Sequence, residues 1–130
     1  MASICEELQT YLLTQTGLTA LVGRRIYPAT LPQDCTLPAV SYEVTNDSPV
    51  HTMSADSANP RKPLITYNVW AASYSSGKAV AEQLRTALMD KSGTLTVRVL
   101  QRIFWENEYD LYEDDTETHH IVLDFIVWYT

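Results

Sequence analysis

The residues that could do chemistry are few, and their spacing is unfavourable. His119 and His120 are adjacent; neighbours on a strand point to opposite faces, so the two rings cannot readily chelate one metal. Cys5 and Cys35 stand too far apart for a Cys-x-x-Cys knuckle, and no helical His-x-x-x-His pair exists. Four glycines spread over the chain cannot build a phosphate-cradling loop, and a G-x-S-x-G elbow is absent. What remains is a run of acids: Glu106, Glu108, Asp110, Glu113, Asp114, Asp115 and Glu117. General acid–base work needs one carboxyl desolvated and its partner not. Acids crowded around a hairpin tip stay wet and screened, so the run reads as a solvated face or an electrostatic wall. No catalytic, cofactor-binding or metal-ligating set emerges, and the expectation is a protein that is not an enzyme.

The large aromatics are a better lead. Trp70 falls among the polar residues of its strand, opposite Tyr67 and Val69. The C-terminal strand is apolar on both faces, with Ile121, Leu123, Phe125 and Val127 on one and Val122, Ile126 and Trp128 on the other. Such a strand must be covered twice. Either helices take one face and a folded-over hairpin the other, or a second subunit supplies the missing layer. Trp70, Tyr74, Trp105, Ile126 and Trp128 are therefore the candidate subunit interface.

The elements that would position these residues follow from periodicity. Ser3 and Glu6 form a capping box, and Ile4, Leu8, Tyr11 and Leu12 make a helical stripe, with Gly17 as the expected stop. Leu18 to Val22 adds a further turn. Arg25 to Pro28 reads as a short strand. Ala39 to Thr45 and Leu64 to Ala72 alternate as half-buried strands. Between them residues 46–63 hold prolines, serines and little large apolar surface, an exposed loop of the length that is often functional. His51, Met53, Arg61 and Lys62 are its candidate partner-docking residues. A second helix opens near Tyr74 behind a serine cap, carries Val80, Leu84, Ala87 and Leu88 on one face, and closes at Gly93. Thr94 to Phe104 is expected as one strand, and His119 to Tyr129 as the last. Pairing about a tip at Glu113 to Thr116 would set Asp110 near His119 or His120, and Trp105 near Phe125. Helix, strands, helix and long hairpin, without βαβ alternation, indicate an α+β fold with a mainly antiparallel sheet.

Composition narrows the function classes. The chain has 130 residues with 45% hydrophobic and 19% charged, suited to one globular domain over 1–130. Two isolated cysteines suit a reducing cytosol, and neither a leader nor a membrane span is expected. The net charge is −7. All the Lys and Arg precede residue 103, and the segment 103–130 carries eight acids, concentrated between Glu106 and Glu117, and no Lys or Arg. Phosphate-gripping proteins gather their basic residues on one face, so specific DNA binding is disfavoured. An acidic surface can still meet DNA as a wall that does not hold it.

Taken in order, Arg25-Ile26-Tyr27-Pro28, Leu31-Pro32-Gln33, Leu37-Pro38-Ala39-Val40-Ser41-Tyr42, Val69-Trp70-Ala71 with Tyr74, Leu84-Arg85-Thr86-Ala87-Leu88, and His120 with Asp124-Phe125-Ile126-Val127-Trp128-Tyr129 resemble the tail-completion family of siphophages and prophages. The resemblance spans essentially the whole length and rests on the combination, since no single motif is specific. Asn68 departs from it, standing where an acidic residue is expected. The resemblance implies a subunit without cofactors that assembles into a ring, typically a hexamer. Such a ring caps the head-proximal end of the tail tube, stops polymerisation and docks the head connector, with DNA passing through its lumen. Its partners would be further copies of itself, the tail tube protein and the connector or stopper. Its place would be the virion tail or neck, after assembly in the host cytoplasm. The acidic run would then line the lumen. A head-side neck or stopper protein is the nearest alternative, and a small ligand-binding or enzymatic α+β domain the more distant one.

Overall fold

A computed structural model describes residues 4–32, 36–46, 61–89, 91–95, 98–114 and 117–129. Three helices, α1 (Ile4–Leu12), α2 (Thr16–Val22) and α3 (Tyr74–Leu88), accompany strands β1 (Ile26–Pro28), β2 (Ala39–Asn46), β3 (Leu64–Ala71), β4 (Gly93–Thr94), β5 (Val99–Glu113) and β6 (Thr118–Tyr129). One six-stranded sheet takes the order β1-β2-β3-β6-β5-β4. Only β1 and β2 pair in parallel; the other ladders are antiparallel. The fold is α+β, as the periodicity indicates.

Strand alternation sorts the side chains onto two faces. Val40, Tyr42, Ile65, Tyr67, Val69, Ile121, Leu123, Phe125 and Val127 join Leu8, Leu12, Leu18, Val80, Leu84 and Leu88 in one buried cluster. The helices thus cover a single face. Tyr67 is fully buried there, tilted against Tyr42 and edge-on to Phe125 at about 6 Å. The opposite face, carrying Ser41, Thr66, Asn68, Trp70, His120, Val122, Asp124, Ile126 and Trp128, meets no described helix. In the last hairpin β5 pairs with β6 from Leu100–Tyr129 to Glu113–Thr118.

Several boundaries differ from the periodic reading. Gly17 does not stop α1. That helix ends at Leu12, a tight turn intervenes, and Gly17 lies in the first turn of α2, whose cap is Gly23 at positive φ. The cap of α3 is Ser73, whose hydroxyl accepts the Ser76 N–H, and α3 ends at Leu88, well before Gly93. Thr94 to Phe104 is not one strand. Leu95 N–H donates to the Arg98 carbonyl, and the chain reverses into a new strand at Val99. Trp105 does pair with Phe125, but Asp110 pairs with Ile121, one residue beyond expectation, because a bulge at Glu106 shifts the register. Ser3, Gln33, Cys35 and most of the expected loop, including His51 and Met53, lie outside the described residues.

Candidate functional site

The helix-free face holds a buried polar row across β2, β3 and β6. Trp70 stacks on His120 with ring centroids 3.8 Å apart, and its indole N–H donates to Ser41 Oγ at 3.3 Å. His120 Nε2 lies 2.7 Å from Asn68 Oδ1, so this nitrogen carries a proton and donates. Nδ1 has no hydrogen-bond partner among the described residues, and Glu113 Oε1 lies 3.7 Å from it. Burial pulls the ring below the usual histidine range, against the opposing effect of the Glu113 carboxylate. Further along, Thr66 Oγ1 donates to Asp124 Oδ1 at 2.8 Å and meets Thr45 Oγ1 at 2.6 Å. Each of these groups sits on alternate strand positions, so one face collects them. Beside Trp70 a groove of about 280 Å³ is lined by Ala29, Thr30, Leu31 and Ser41.

The helix-bearing face turns part of the acidic run inward. Lys78 and Arg85 lie two turns apart on one side of α3. Lys78 Nζ donates to Glu108 Oε2 at 3.0 Å and to Asp110 Oδ1 at 2.8 Å, while Arg85 pairs with Glu108 and lies over the Trp105 ring. Burial pulls on the Lys78 ammonium, but its hydrogen bonds to Asp110 and Glu108 and their charges outweigh this and raise its pKa. Glu108, partly buried, and Asp110, exposed, are therefore set against cations of α3, while Glu106, Glu113, Asp114 and Glu117 are exposed and lie apart from Lys78 and Arg85 in the ion pairs described. Asp115 is outside the described residues. The acids have two different environments, which their crowding in sequence does not reveal.

The five candidate interface residues do not share a surface. Trp70, Ile126 and Trp128 lie on the helix-free face, with Lys62 Nζ 5.6 Å from the Trp128 ring centre. Trp105 and Tyr74 lie on the other face, the latter beside His119 and Asp110. Arg61 bridges the backbone of Tyr129. Exposed apolar side chains instead concentrate along β5, where Phe104, Trp105, Tyr109, Leu111 and Tyr112 are all more than 40% exposed. The strand is paired by β4 only at Val99 and Leu100, so no described strand covers its far edge beyond that point.

Periodicity alone passes over a second ion pair. Glu7 is 3% exposed, accepts the Arg98 backbone N–H at 3.1 Å and pairs with its guanidinium. The signal was available: Glu7 falls three residues after Ile4 and four before Tyr11, on the flank of the apolar stripe. Among the described residues no group of three or more His, Cys, Asp or Glu could hold a metal ion, and no helix is long and apolar enough to cross a membrane.

A family model described as "Tail completion protein gp17" matches residues 6–130. No curated protein matches the chain. Among solved structures, a chain from "Virion of native gene transfer agent (GTA) particle" superposes with a TM-score of 0.76 at 19% identity, covering 99% of this chain and 98% of that one. At such identity the likeness establishes a shared fold.

Proposed function

The chain belongs to the tail completion protein gp17 family, and from that membership we propose that it caps the head-proximal end of a phage-type tail tube as a ring. The family assigns a structural role in tail completion. The finer reading is that 1–130 acts as one domain in a ring, a hexamer, which stops tube polymerisation and docks the head connector within the virion. The observation that carries it is the family match over residues 6–130. The geometry is in keeping with it: a long strand, β5, keeps six large apolar side chains exposed, and beyond Leu100 no described strand covers its far edge. Monomeric proteins rarely leave such an edge bare. Arg61 and Lys62 stand beside the C-terminal strand, from which they dock tube or connector on this reading.

The exposed acids Glu106, Glu113, Asp114 and Glu117 line the lumen on this reading and repel the DNA that passes. Deleting the gene from the particle that encodes it tests the proposal. Electron microscopy should then show overlong tails, or tails unjoined to heads. Tails of normal length still joined to heads would sink it.

A further inference from the structure

The two edges of the sheet carry opposite charge at the same height, and we propose that β5 of one subunit lies beside β1 of the next. This rests on the ring reading and specifies how its subunits meet. Height across the sheet follows from the ladders: Ile26 pairs with Val40, Val40 with Val69, Val69 with Ile121 and Ile121 with Asp110. Asp110 on β5 is thus level with Ile26 on β1. Direction follows in the same way. One parallel and three antiparallel pairings leave β5 running opposite to β1. A neighbour's β1 set beside β5, with its helices on the same side, therefore continues the antiparallel sheet.

In that join Arg25 and Arg24, in the turn that leads into Ile26, come near Leu111 and Tyr112. Glu113 and Asp114 follow immediately. Arg24 is exposed. Arg25 donates to the carbonyls of Pro38 and Leu21, which are uncharged, so its positive charge is not cancelled there. Opposite charges directly across a ladder stabilise pairing, and like charges oppose it. The alternative of β5 meeting β5 would leave the acids of its C-terminal half with a single basic residue to face, Arg102, since residues 103–130 contain no Lys or Arg. It would also close a two-fold dimer, whereas the β5–β1 join is heterologous and can close a ring. Charge thus favours the join and its polarity.

Cysteine pairing in assembled particles tests this. Partners across a ladder have Cα atoms about 5 Å apart, within disulfide range. Arg24→Cys combined in turn with Tyr112→Cys, Glu113→Cys and Asp114→Cys should give, for at least one pair, covalent multimers of this chain on oxidation, and each single variant should give none. Arg24→Glu with Arg25→Glu should lose joined particles, and adding Glu113→Arg with Asp114→Arg should recover them. Joined particles that give no multimers with any pair, together with harmless reversal at Arg24 and Arg25, would overturn the join while leaving the ring intact. If deletion of the whole chain leaves tails normal and joined, the ring reading itself falls.

Discussion

Glu7 and His120 are buried polar groups whose surroundings can be read in stability. The Glu7 carboxylate is satisfied by the side chain and backbone of Arg98. Removing the guanidinium leaves a desolvated acid, and losing one partner of such a pair costs about 3 kcal/mol or more. Arg98→Ala should therefore unfold at clearly lower denaturant than Glu7→Gln, which keeps the shape and drops the charge; equal midpoints would show the pair to be inert. His120 acts in the same pH sense as a paired carboxylate. Its folded pKa is lowered by burial, so the unfolded chain takes up a proton first as pH falls. Stability is unaffected above the ordinary histidine pKa near 6.5 and declines below it. Thermal melting followed from pH 7.5 to 5 should fall more steeply for the native chain than for His120→Gln. Replacing Glu113 by Gln removes the opposing carboxylate and should lower the His120 titration further, as read by NMR. An upward shift would mean that Glu113 does not face the ring.

Among the elements, α3 does the most positioning, because it seals the core and also holds β5. Ser73→Ala removes its cap and should cost about 1 kcal/mol. Leu84→Ala opens the fully buried core beneath it and should cost about 2–5 kcal/mol. Both are read by denaturant unfolding, and a cap loss exceeding the core loss would contradict the packing described. The elements themselves were legible from period and punctuation. Trp105 pairing with Phe125 followed from placing the hairpin tip. The same arithmetic missed Asp110 by one residue, since strand alternation does not mark the extra residue that the bulge at Glu106 inserts. Likewise Leu95 and Val99 alternate as in one strand, and nothing in that pattern marks the reversal at Arg98. Gly17 shows that a glycine is compatible with a first helical turn as well as with a stop.

Across the whole molecule, the sequence revealed the class of fold and the two-faced character of β6, but not what covers each face. Strand alternation gives two sides without saying which one receives the helices, so Trp70 and Trp105 read alike and prove to lie on opposite sides. The division of the acids is of the same kind: Lys78 of α3 is set against Glu108 and Asp110, and that pairing joins residues some thirty positions apart. What survives at molecular scale is the charge asymmetry. Lys78, Arg85 and Arg98 are each set against carboxylates, so the chain, at net −7, has still less basic surface than its composition suggests. Non-specific DNA affinity grows with the phosphates that Lys and Arg neutralise, and it falls steeply with salt. The chain should therefore leave duplex DNA unshifted in gels run at 50–150 mM salt, conditions in which phosphate-gripping proteins bind. Replacing Glu106, Glu113, Asp114 and Glu117 by Gln removes the repulsion without adding a single cation, and should produce weak, salt-sensitive retention only if Arg24, Arg25, Arg61, Lys62 and Arg102 then dominate the surface. A native chain that bound DNA with a strong salt dependence would remove the case for a repelling lumen, while leaving tail completion untouched.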